Sequence, residues 1–388
     1  MQGRKKGHPL APPEHPLVLV GFRHDVGWIR EAVASLGVST AVVERCEDAA
    51  DLLAATPPLA IVVQHDAPGA AQMCTRARME SRLSMVPIFG VASQATDLAF
   101  AELFSWGGDD LVGSGSAQPI LRRLRPLLAQ QARLGSSGAH PAARPRKAVI
   151  AGSEATWRTV MGRALYTGGF AVRFATGADT LRDECSGGDV SVIVAADDLE
   201  PTGAADFLAS SRAAGSTTPW VLVAPPRRMA AAHAAAKAST RASVADGFAP
   251  PENVLFLVNE LLAARGVDKR ASPRLLYGTA VAFRPAGREE DEIGYSYNVS
   301  AGGVYVRTTA PLDPGHEVWL EMWPPRAERR VRLAGKVAWK RPIGPAGGAT
   351  VPAGFGMQIT DGLSGDLERW RAGYEAFAES MLGSSSTS

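Results

Sequence analysis

The first 265 residues alternate short apolar runs with longer amphipathic stretches. Runs such as LVLV at residues 17–20 and WVLV at residues 220–223 are bounded by turn-forming residues. In segments such as 26–35, apolar positions recur instead every three or four residues. Strands of a parallel sheet are covered by helices on both faces, so they read as continuous apolar runs. The pattern therefore predicts α/β folding with parallel sheets.

This plan occurs twice, at an offset of about 130 residues, which is longer than a solenoid repeat and suits duplicated domains. In the first copy we expect strands at residues 17–20, 40–43, 59–63 and 87–91 and helices at residues 26–35 and 120–130. In the second copy we expect strands at residues 148–151, 171–174, 190–194 and 220–223 and helices at residues 155–166 and 253–264.

After residue 274 the rhythm changes to short alternating strands, which predict a small antiparallel β-barrel. The expected strands are 279–283, 303–308, 317–322, 331–337 and 355–359. A final helix is predicted from apolar residues at helical spacing, with Ser364 as its N-cap and Gly383 beyond its end. Its apolar stripe consists of Leu367, Trp370, Tyr374, Phe377 and Met381. We expect this stripe to pack on the barrel, with an oligomerisation helix as the alternative.

Segments without apolar periodicity divide the chain into domains. Residues 132–146 are rich in Gly, Ser, Ala and Pro and predict a linker, and residues 264–272 form a weaker boundary. The predicted organisation is a disordered leader (1–15), an α/β domain (16–131), the linker (132–146), a second α/β domain (147–265), the barrel domain with its C-terminal helix (266–383) and a disordered tail (384–388).

The composition excludes several classes of function. With 41 basic and 39 acidic residues among 388, the chain has no polyelectrolyte character, so no general nucleic-acid binding is expected. Three cysteines without metal-ligand spacing predict neither a disulfide framework nor a zinc site. The apolar run LVLVGF is too short for a signal-peptide core or a membrane span. We therefore expect a cytoplasmic protein without a metal or cofactor.

The run GGDDLV at residues 107–112 resembles the turn before the last strand of a response-regulator receiver domain. The resemblance covers residues 16–130 and implies a CheY-like, flavodoxin-like fold. Receivers hold magnesium with carboxylates, use an Asp as nucleophile, and neutralise the phosphoryl group with a hydroxyl and a lysine. The corresponding positions here are Gly21, Phe22, Gln64, Ala92 and Ser114. The neighbouring His65 and Asp66 are the alternative acceptors, but we interpret them as surface residues.

The second α/β unit resembles a receiver less specifically. Gly152 and Ser153 stand at the acidic positions, Ala224 at the hydroxyl position and Pro250 near the lysine position. Asp197 lies four residues before Pro201 and could mimic a phosphoacceptor. We favour a loop carboxylate, because the magnesium partners are missing. Both units are thus predicted to be pseudo-receivers, whose surfaces can still serve protein contacts.

Two short motifs precede and enter the predicted barrel. An RxxxR element comes just before its first strand, and an NxSxxG element leads into the strand at residues 303–308. Arginine offers a planar fork that pairs with phosphate or with the O6 and N7 edge of guanine. Asn and Ser supply short polar groups at a turn, and glycines allow close approach of the backbone. The candidate ligand-binding residues are Lys269, Arg270, Arg274, Asn298, Ser300, Gly302 and Gly303.

In this order and spacing, the two motifs resemble the PilZ domain of bacterial signalling proteins. The resemblance spans about residues 269–361 and includes GKVAW at residues 335–339 and GFGM at residues 354–357. It implies that Arg270, Arg274, Asn298, Ser300 and Gly303 bind cyclic di-GMP. In the family, the residue before the first arginine influences how many ligand molecules are held, and Lys269 there leaves two intercalated molecules possible.

The sequence therefore predicts a non-enzymatic cyclic di-GMP effector that couples second-messenger binding to protein interactions of the receiver-like domains. The alternative is a ligand-independent scaffold whose three domains only mediate protein contacts. The arm carrying Arg270 and Arg274 is expected to wrap onto the barrel when ligand binds and to reorient the N-terminal half. The protein partner and the downstream process are not indicated, and a homodimer is left open. Trp319, Trp323 and Trp339 are expected at the barrel core or rim.

Overall fold

A computed structural model of the protein describes residues 15–23, 26–55, 57–134, 146–247, 250–263, 272–343 and 351–383. In this structure the first α/β unit is built on a five-stranded parallel sheet. Its strands are β1 (Leu17–Val20), β2 (Thr40–Val43), β3 (Ala60–Gln64), β4 (Ile88–Ala92) and β5 (Asp110–Gly113). Its helices are α1 (Gly27–Ala34), α2 (Ala49–Ala55), α3 (Ala70–Met79), α4 (Asp97–Ser105) and α5 (Gln118–Leu134).

The strand order β2-β1-β3-β4-β5 is that of flavodoxin-like proteins, which confirms the predicted fold. All four residues of β1 are buried, because helices cover both faces of the sheet. Helices α1 and α5 contribute Ile29, Val33 and Leu124 to the core on one face. Helices α2, α3 and α4 cover the other face.

The second α/β unit repeats this topology with the strand order β10-β9-β8-β6-β7. Its strands are β6 (Arg146–Ala151), β7 (Phe170–Ala175), β8 (Val190–Ala196), β9 (Trp220–Ala224) and β10 (Ala242–Asp246). Its helices are α6 (Ala155–Thr167), α7 (Ala178–Cys185), α8 (Ala204–Ala213), α9 (Met229–Lys237) and α10 (Glu252–Ala263). The predicted linker therefore begins inside α5 and ends inside β6, and its residues 135–145 lie outside the described residues.

Six antiparallel strands close the third domain into a barrel, in the order β13-β12-β15-β16-β17-β14 and back to β13. A short strand, β11, pairs with the end of β13. The ranges are β11 (Leu275–Leu276), β12 (Ala280–Pro285), β13 (Glu292–Ser300), β14 (Gly303–Arg307), β15 (Glu317–Met322), β16 (Val331–Arg341), β17 (Gly354–Gly362) and α11 (Asp366–Gly383). The predicted small antiparallel barrel with a C-terminal helix is confirmed.

Helix α11 packs on the barrel, as the sequence predicted, through Trp370, Tyr374 and Phe377 of its apolar stripe, whereas Met381 is 50 % exposed. Trp370 and Tyr374 are buried in the barrel core, and the Trp370 indole donates a hydrogen bond to the Ala301 carbonyl at 3.1 Å. The helix begins at Asp366, so Gly365 precedes it, and the predicted N-cap at Ser364 is wrong. Ser364 instead adopts a left-handed backbone conformation with φ of 39°.

The barrel packs against the first α/β domain through buried polar and aromatic contacts. Tyr295 of β13 lies against Phe100 and Phe104 of α4, with ring centroids 5.1 and 5.6 Å away. Asp110 of β5 pairs with Arg123 of α5 at 2.8 Å, and both side chains are buried. The same Asp110 oxygen accepts hydrogen bonds from Thr308 and Thr309 of the barrel domain. These contacts fix the barrel on the α4–β5–α5 side of the domain.

The two α/β domains meet at Asp109, the neighbour of Asp110. One Asp109 oxygen accepts from Arg78 of α3 at 2.9 Å, and the other accepts from Arg163 of α6 at 2.7 Å. Burial acts to raise the pKa of the Asp109 carboxyl, but Arg163 and Arg78 outweigh it and hold that pKa below its usual range. Both acidic residues of the GGDDLV motif therefore serve domain contacts.

Candidate functional site

A cavity of about 240 Å³ opens on the barrel where the β13–β14 hairpin meets β16 and β17. Its lining contains five of the seven predicted ligand-binding residues: Arg274, Asn298, Ser300, Gly302 and Gly303. The remaining lining residues are Val304, Tyr305, Ala338, Trp339, Gly356, Met357 and Gln358. The other two predicted residues, Lys269 and Arg270, lie outside the described residues. The folded barrel thus brings both motifs to one cavity.

Asn298 and Ser300 lie at the end of strand β13, whereas the sequence predicted a turn at these positions. The turn itself consists of Ala301 and Gly302, and Gly303 begins β14. Asn298 is only 5 % exposed and pairs with Tyr305 of β14 and with Leu276 of β11. A strand position holds the Asn298 amide more rigidly than a loop does, because ladders on both sides restrain its backbone.

Gly303 lies where β14 passes closely over β17. A Cβ atom on Gly303 would lie 2.8 Å from the Met357 carbonyl oxygen, closer than van der Waals contact allows. At the neighbouring Gly302, a Cβ atom would meet no atom within 4 Å. The close approach of the two backbones, rather than an unusual dihedral angle, therefore explains the glycine at position 303.

We expect Gly303→Ala to lower the free energy of unfolding by about 1–3 kcal/mol, the usual cost of overpacking, because β14 must move away from β17. Thermal unfolding of the full-length protein measures this loss. Gly302→Ala is the matched control and should leave the unfolding midpoint close to that of the wild type. Equal midpoints for all three proteins would contradict the close packing of these strands.

Arg274 directly precedes β11, which pairs with Val299 and Asn298 of β13. The preceding residues are also anchored: the Ala301 N–H donates to the Ser272 hydroxyl at 3.3 Å, and the Tyr374 hydroxyl donates to the Pro273 carbonyl at 2.6 Å. The start of the barrel is therefore held between the hairpin turn and α11. This arrangement places the half-buried Arg274 at the cavity edge.

Two aromatic side chains that the sequence analysis did not assign to the site form one wall of the cavity. The Trp339 indole stacks on the Tyr305 ring, with centroids 4.8 Å apart and planes inclined by 26°. A Cβ atom on Gly356 would lie 2.5 Å from the indole nitrogen, so the glycine leaves room for this ring. Trp319 and Trp323 lie on the outer surface instead, 42 % and 39 % exposed. The GKVAW run at residues 335–339 predicts a strand, because inward and outward side chains alternate along it. Which of its residues face the cavity depends on the closure of the barrel, and these residues are Ala338 and Trp339.

The electrostatics of the cavity suit an anion. Arg274 contributes a guanidinium group, and among the residues that the structure describes no Asp or Glu lines the cavity. Burial raises the pKa of the Tyr305 hydroxyl well above its usual range, so Tyr305 stays neutral and donates to the Pro352 carbonyl at 2.6 Å. A planar base can stack on an aromatic wall while arginine pairs with phosphate or a guanine edge.

At the carboxyl end of β3 in the first α/β domain, Gln64 occupies the position of the acceptor Asp of a receiver, followed by His65 and Asp66. In the first domain Gln64 donates to Asp66 at 2.7 Å, and His65 stacks on Trp106 with centroids 4.9 Å apart. Among the residues that the structure describes, no group of three or more His, Cys, Asp or Glu side chains is placed to hold a metal ion. The alternative acceptors His65 and Asp66 are thus engaged in local contacts.

Asp197 of the second domain follows its strand directly, since β8 continues to Ala196 rather than ending near residue 194 as predicted. Its backbone N–H bonds to Val223, just as the His65 N–H bonds to Val91 in the first domain. Strand register therefore aligns Asp197 with His65. The sequence had instead placed Asp197 at the acceptor position that Gln64 occupies in the first domain, and that alignment is wrong. The Asp197 carboxylate pairs with Arg228 at 3.1 Å.

Comparison with known proteins agrees with this architecture. Residues 268–372 match the family model of the PilZ domain. This range contains the closed barrel, Arg274 and the NxSxxG motif at residues 298–303. The chain therefore carries a PilZ domain after two receiver-like α/β domains. No curated protein matches the chain. No helix of the described segments is both long and apolar enough to cross a membrane.

Several solved structures are similar to parts of this chain. The inhibitor of motility MotI/DgrA of Bacillus subtilis is 21 % identical with a TM-score of 0.25, and the match covers 30 % of this chain and 53 % of that one. This chain thus spans about half the length of that protein. A probable response regulator/GGDEF domain protein is 13 % identical (TM-score 0.31, 64 % and 98 % covered). A response-regulator receiver domain protein of Clostridium thermocellum is 13 % identical (TM-score 0.29, 31 % and 95 % covered).

Proposed function

We propose that the protein is a non-enzymatic receptor for cyclic di-GMP and that its PilZ domain binds the ligand in the cavity beside Trp339. The observation that carries this proposal is the convergence of five predicted residues on one cavity, in whose described lining no carboxylate occurs: Arg274, Asn298, Ser300, Gly302 and Gly303. The two phosphates need cationic partners, and the guanines need planar surfaces and polar edges. The described part of the cavity supplies one arginine, an aromatic wall and the polar side chains of Asn298 and Ser300.

Arg270 is proposed to complete the site. At about 240 Å³ the cavity is smaller than the roughly 300–1,000 Å³ typical of ligand pockets, so it holds part of the dinucleotide. Arg270 lies four positions before Arg274 and can approach the exposed side of the bound ligand. Lys269 adds a further positive charge there. As the family resemblance implies, a basic residue at position 269 is compatible with two intercalated ligand molecules.

The receiver-like domains are proposed to report binding to a protein partner. The hairpin that carries Asn298 and Ser300 also contacts both α/β domains, through Tyr295 to α4 and through Tyr297 to α10. A ligand that binds to this hairpin is therefore expected to change the strength of the domain contacts. The protein partner is proposed to bind to the surfaces of the α/β domains and to respond to this change.

Selective stabilisation by the ligand tests the proposal. A ligand that binds only the folded state adds about 2.7 kcal/mol at 100 times its Kd, so cyclic di-GMP should raise the unfolding midpoint by several degrees. GTP and cyclic di-AMP at the same concentration should cause much smaller shifts, because they lack the paired guanines. Equal shifts with all three, or none with any, would contradict the proposal and favour the ligand-independent scaffold.

A further inference from the structure

Helix α10 of the second α/β domain packs directly against the strand that carries the polar motif. The Phe256 ring meets the Tyr297 ring edge-on, with centroids 6.3 Å apart. The Tyr297 hydroxyl donates to the Glu252 backbone carbonyl at 2.5 Å. Burial raises the pKa of this hydroxyl well above its usual range, so it remains a donor. A neighbouring domain thus holds a residue adjacent to Asn298.

Tyr297 occupies a β-bulge. On β14, Val306 faces Ser296 and Tyr305 faces Asn298, so Tyr297 is the extra residue between these two pairs. A bulge re-aims the side chains that follow it and increases the local twist of the strand. The direction in which the Asn298 amide enters the cavity therefore depends on how Tyr297 is seated.

A chain of ring contacts continues from Tyr297 to the cavity wall. Tyr297 packs on Tyr305 with centroids 6.0 Å apart, and Tyr305 stacks on Trp339 at 4.8 Å. Tyr297 and Tyr305 are 5 % and 2 % exposed, so neither ring can move independently of its neighbours. Tyr297, which contacts α10, thus lies one residue from Asn298 and two ring contacts from Trp339 in the cavity wall.

The far end of the hairpin is held by the same helix. Arg307, at the end of β14, pairs with the Glu252 carboxylate at 2.8 Å. Its guanidinium carbon also lies 3.4 Å from the centroid of Phe104 in the first domain. Glu252 therefore contacts both strands of the hairpin, with its backbone carbonyl on β13 and its side chain on β14.

We propose that Phe256 and Glu252 are positioning residues for the cyclic di-GMP cavity. They seat Tyr297 in the bulge and thereby hold Asn298, Tyr305 and Trp339 in the binding arrangement. This inference rests on the proposed function. Because coupling between two sites is reciprocal, bound ligand must in turn strengthen the packing of α10 on the hairpin. The second α/β domain is then part of the receptor site without touching the ligand.

The test is the affinity of full-length variants for cyclic di-GMP, measured by titration calorimetry. Phe256→Ala should weaken binding by about 5- to 150-fold, the range typical of coupling between sites. Phe256→Tyr keeps the aromatic ring and should therefore bind with most of the wild-type affinity. Weak binding by Phe256→Ala together with strong binding by Phe256→Tyr would show that the ring at position 256 supports the cavity. Tyr297→Phe, which loses only the hydrogen bond to Glu252, should cause a smaller loss than Phe256→Ala.

Phe207→Ala is the matched control, because Phe207 packs on Trp220 inside the second domain and, within the described segments, makes no ring contact with the barrel. Its affinity should equal that of the wild type. Wild-type affinity in Phe256→Ala, or an equal loss in Phe207→Ala, would overturn the positioning role while leaving the proposed function standing. No binding by the wild-type protein would overturn the proposed function itself.

Hydrogen exchange of the wild-type protein provides a second measurement that needs no variant. Amides of α10 should exchange more slowly with cyclic di-GMP present, because the ligand stabilises the surface on which the helix packs. Amides of α8, on which Phe207 lies, should not change. Unchanged exchange in α10 while the ligand is bound would overturn the inference.

Discussion

Replacing Arg274 with Ala is expected to abolish detectable cyclic di-GMP binding. Each hydrogen bond to a charged group contributes about 1.5–3 kcal/mol, and a bidentate arginine pair provides two of them. Loss of the pair therefore weakens binding by about 100-fold or more. The Arg274 side chain lies at the cavity edge, held there by β11 and the anchored residues before it. Titration calorimetry on the full-length protein measures the loss.

Arg270→Ala should have an effect of the same size, since the proposal assigns both arginines to one ligand. Arg284→Ala is the matched control: it removes an exposed arginine of the same domain that lies outside the cavity, 3.7 Å from Asp291. That variant should bind like the wild type. Full affinity in both Arg270→Ala and Arg274→Ala would remove the assigned site and leave the scaffold hypothesis.

Replacing Asp110 with Ala should destabilise the protein by about 3–5 kcal/mol, because it leaves the Arg123 guanidinium buried without its carboxylate. It also removes the acceptor of three hydrogen bonds from the barrel domain, two from Thr309 and one from Thr308. The first transition in urea unfolding should therefore move to lower denaturant. The barrel should separate from the first α/β domain in that transition.

Asp291→Ala tests whether the effect comes from burial. Asp291 pairs with Arg284 on the surface, where both side chains are about half exposed, and such pairs contribute only about 0–1 kcal/mol. The control should therefore unfold almost as the wild type does. If Asp110→Ala and Asp291→Ala unfold alike, the buried network does not hold the domains together.

Sequence reasoning located the most regular elements well. The strands at residues 17–20, 40–43 and 317–322 begin and end where predicted. A short apolar run, or a strict alternation of apolar and polar residues, is typical of a β-strand. Helices α2, α3, α4, α7, α8 and α9 were not predicted. Helix α7, for example, buries only Ala178 and Leu181 among charged residues, and the buried residues of α9 are alanines, so little apolar surface marks either helix in the sequence. Strand β13 was also missed. Its polar residues Glu292, Ser296 and Asn298 are buried, which hides the alternation of a surface strand.

The candidate site was predicted in part. The two motifs named Arg274, Asn298, Ser300, Gly302 and Gly303, which line one cavity. They could not name Tyr305 and Trp339, because a single aromatic residue in a strand has the same pattern whether it faces solvent, a core or a ligand cavity. The bulge at Tyr297 could not be predicted from the sequence either, because it depends on the pairing of β13 with β14.

The amino-acid order alone determined the two parallel sheets, the barrel and the motifs that meet beside it, because hydrophobic periodicity and short motifs are local properties of a chain. Only the tertiary structure decided how the three domains meet. Asp110 and Thr308 are 198 positions apart yet share a hydrogen bond, and Phe256 reaches the bulge next to Asn298. Such contacts depend on the faces that packed domains present to one another, and no local pattern encodes that choice.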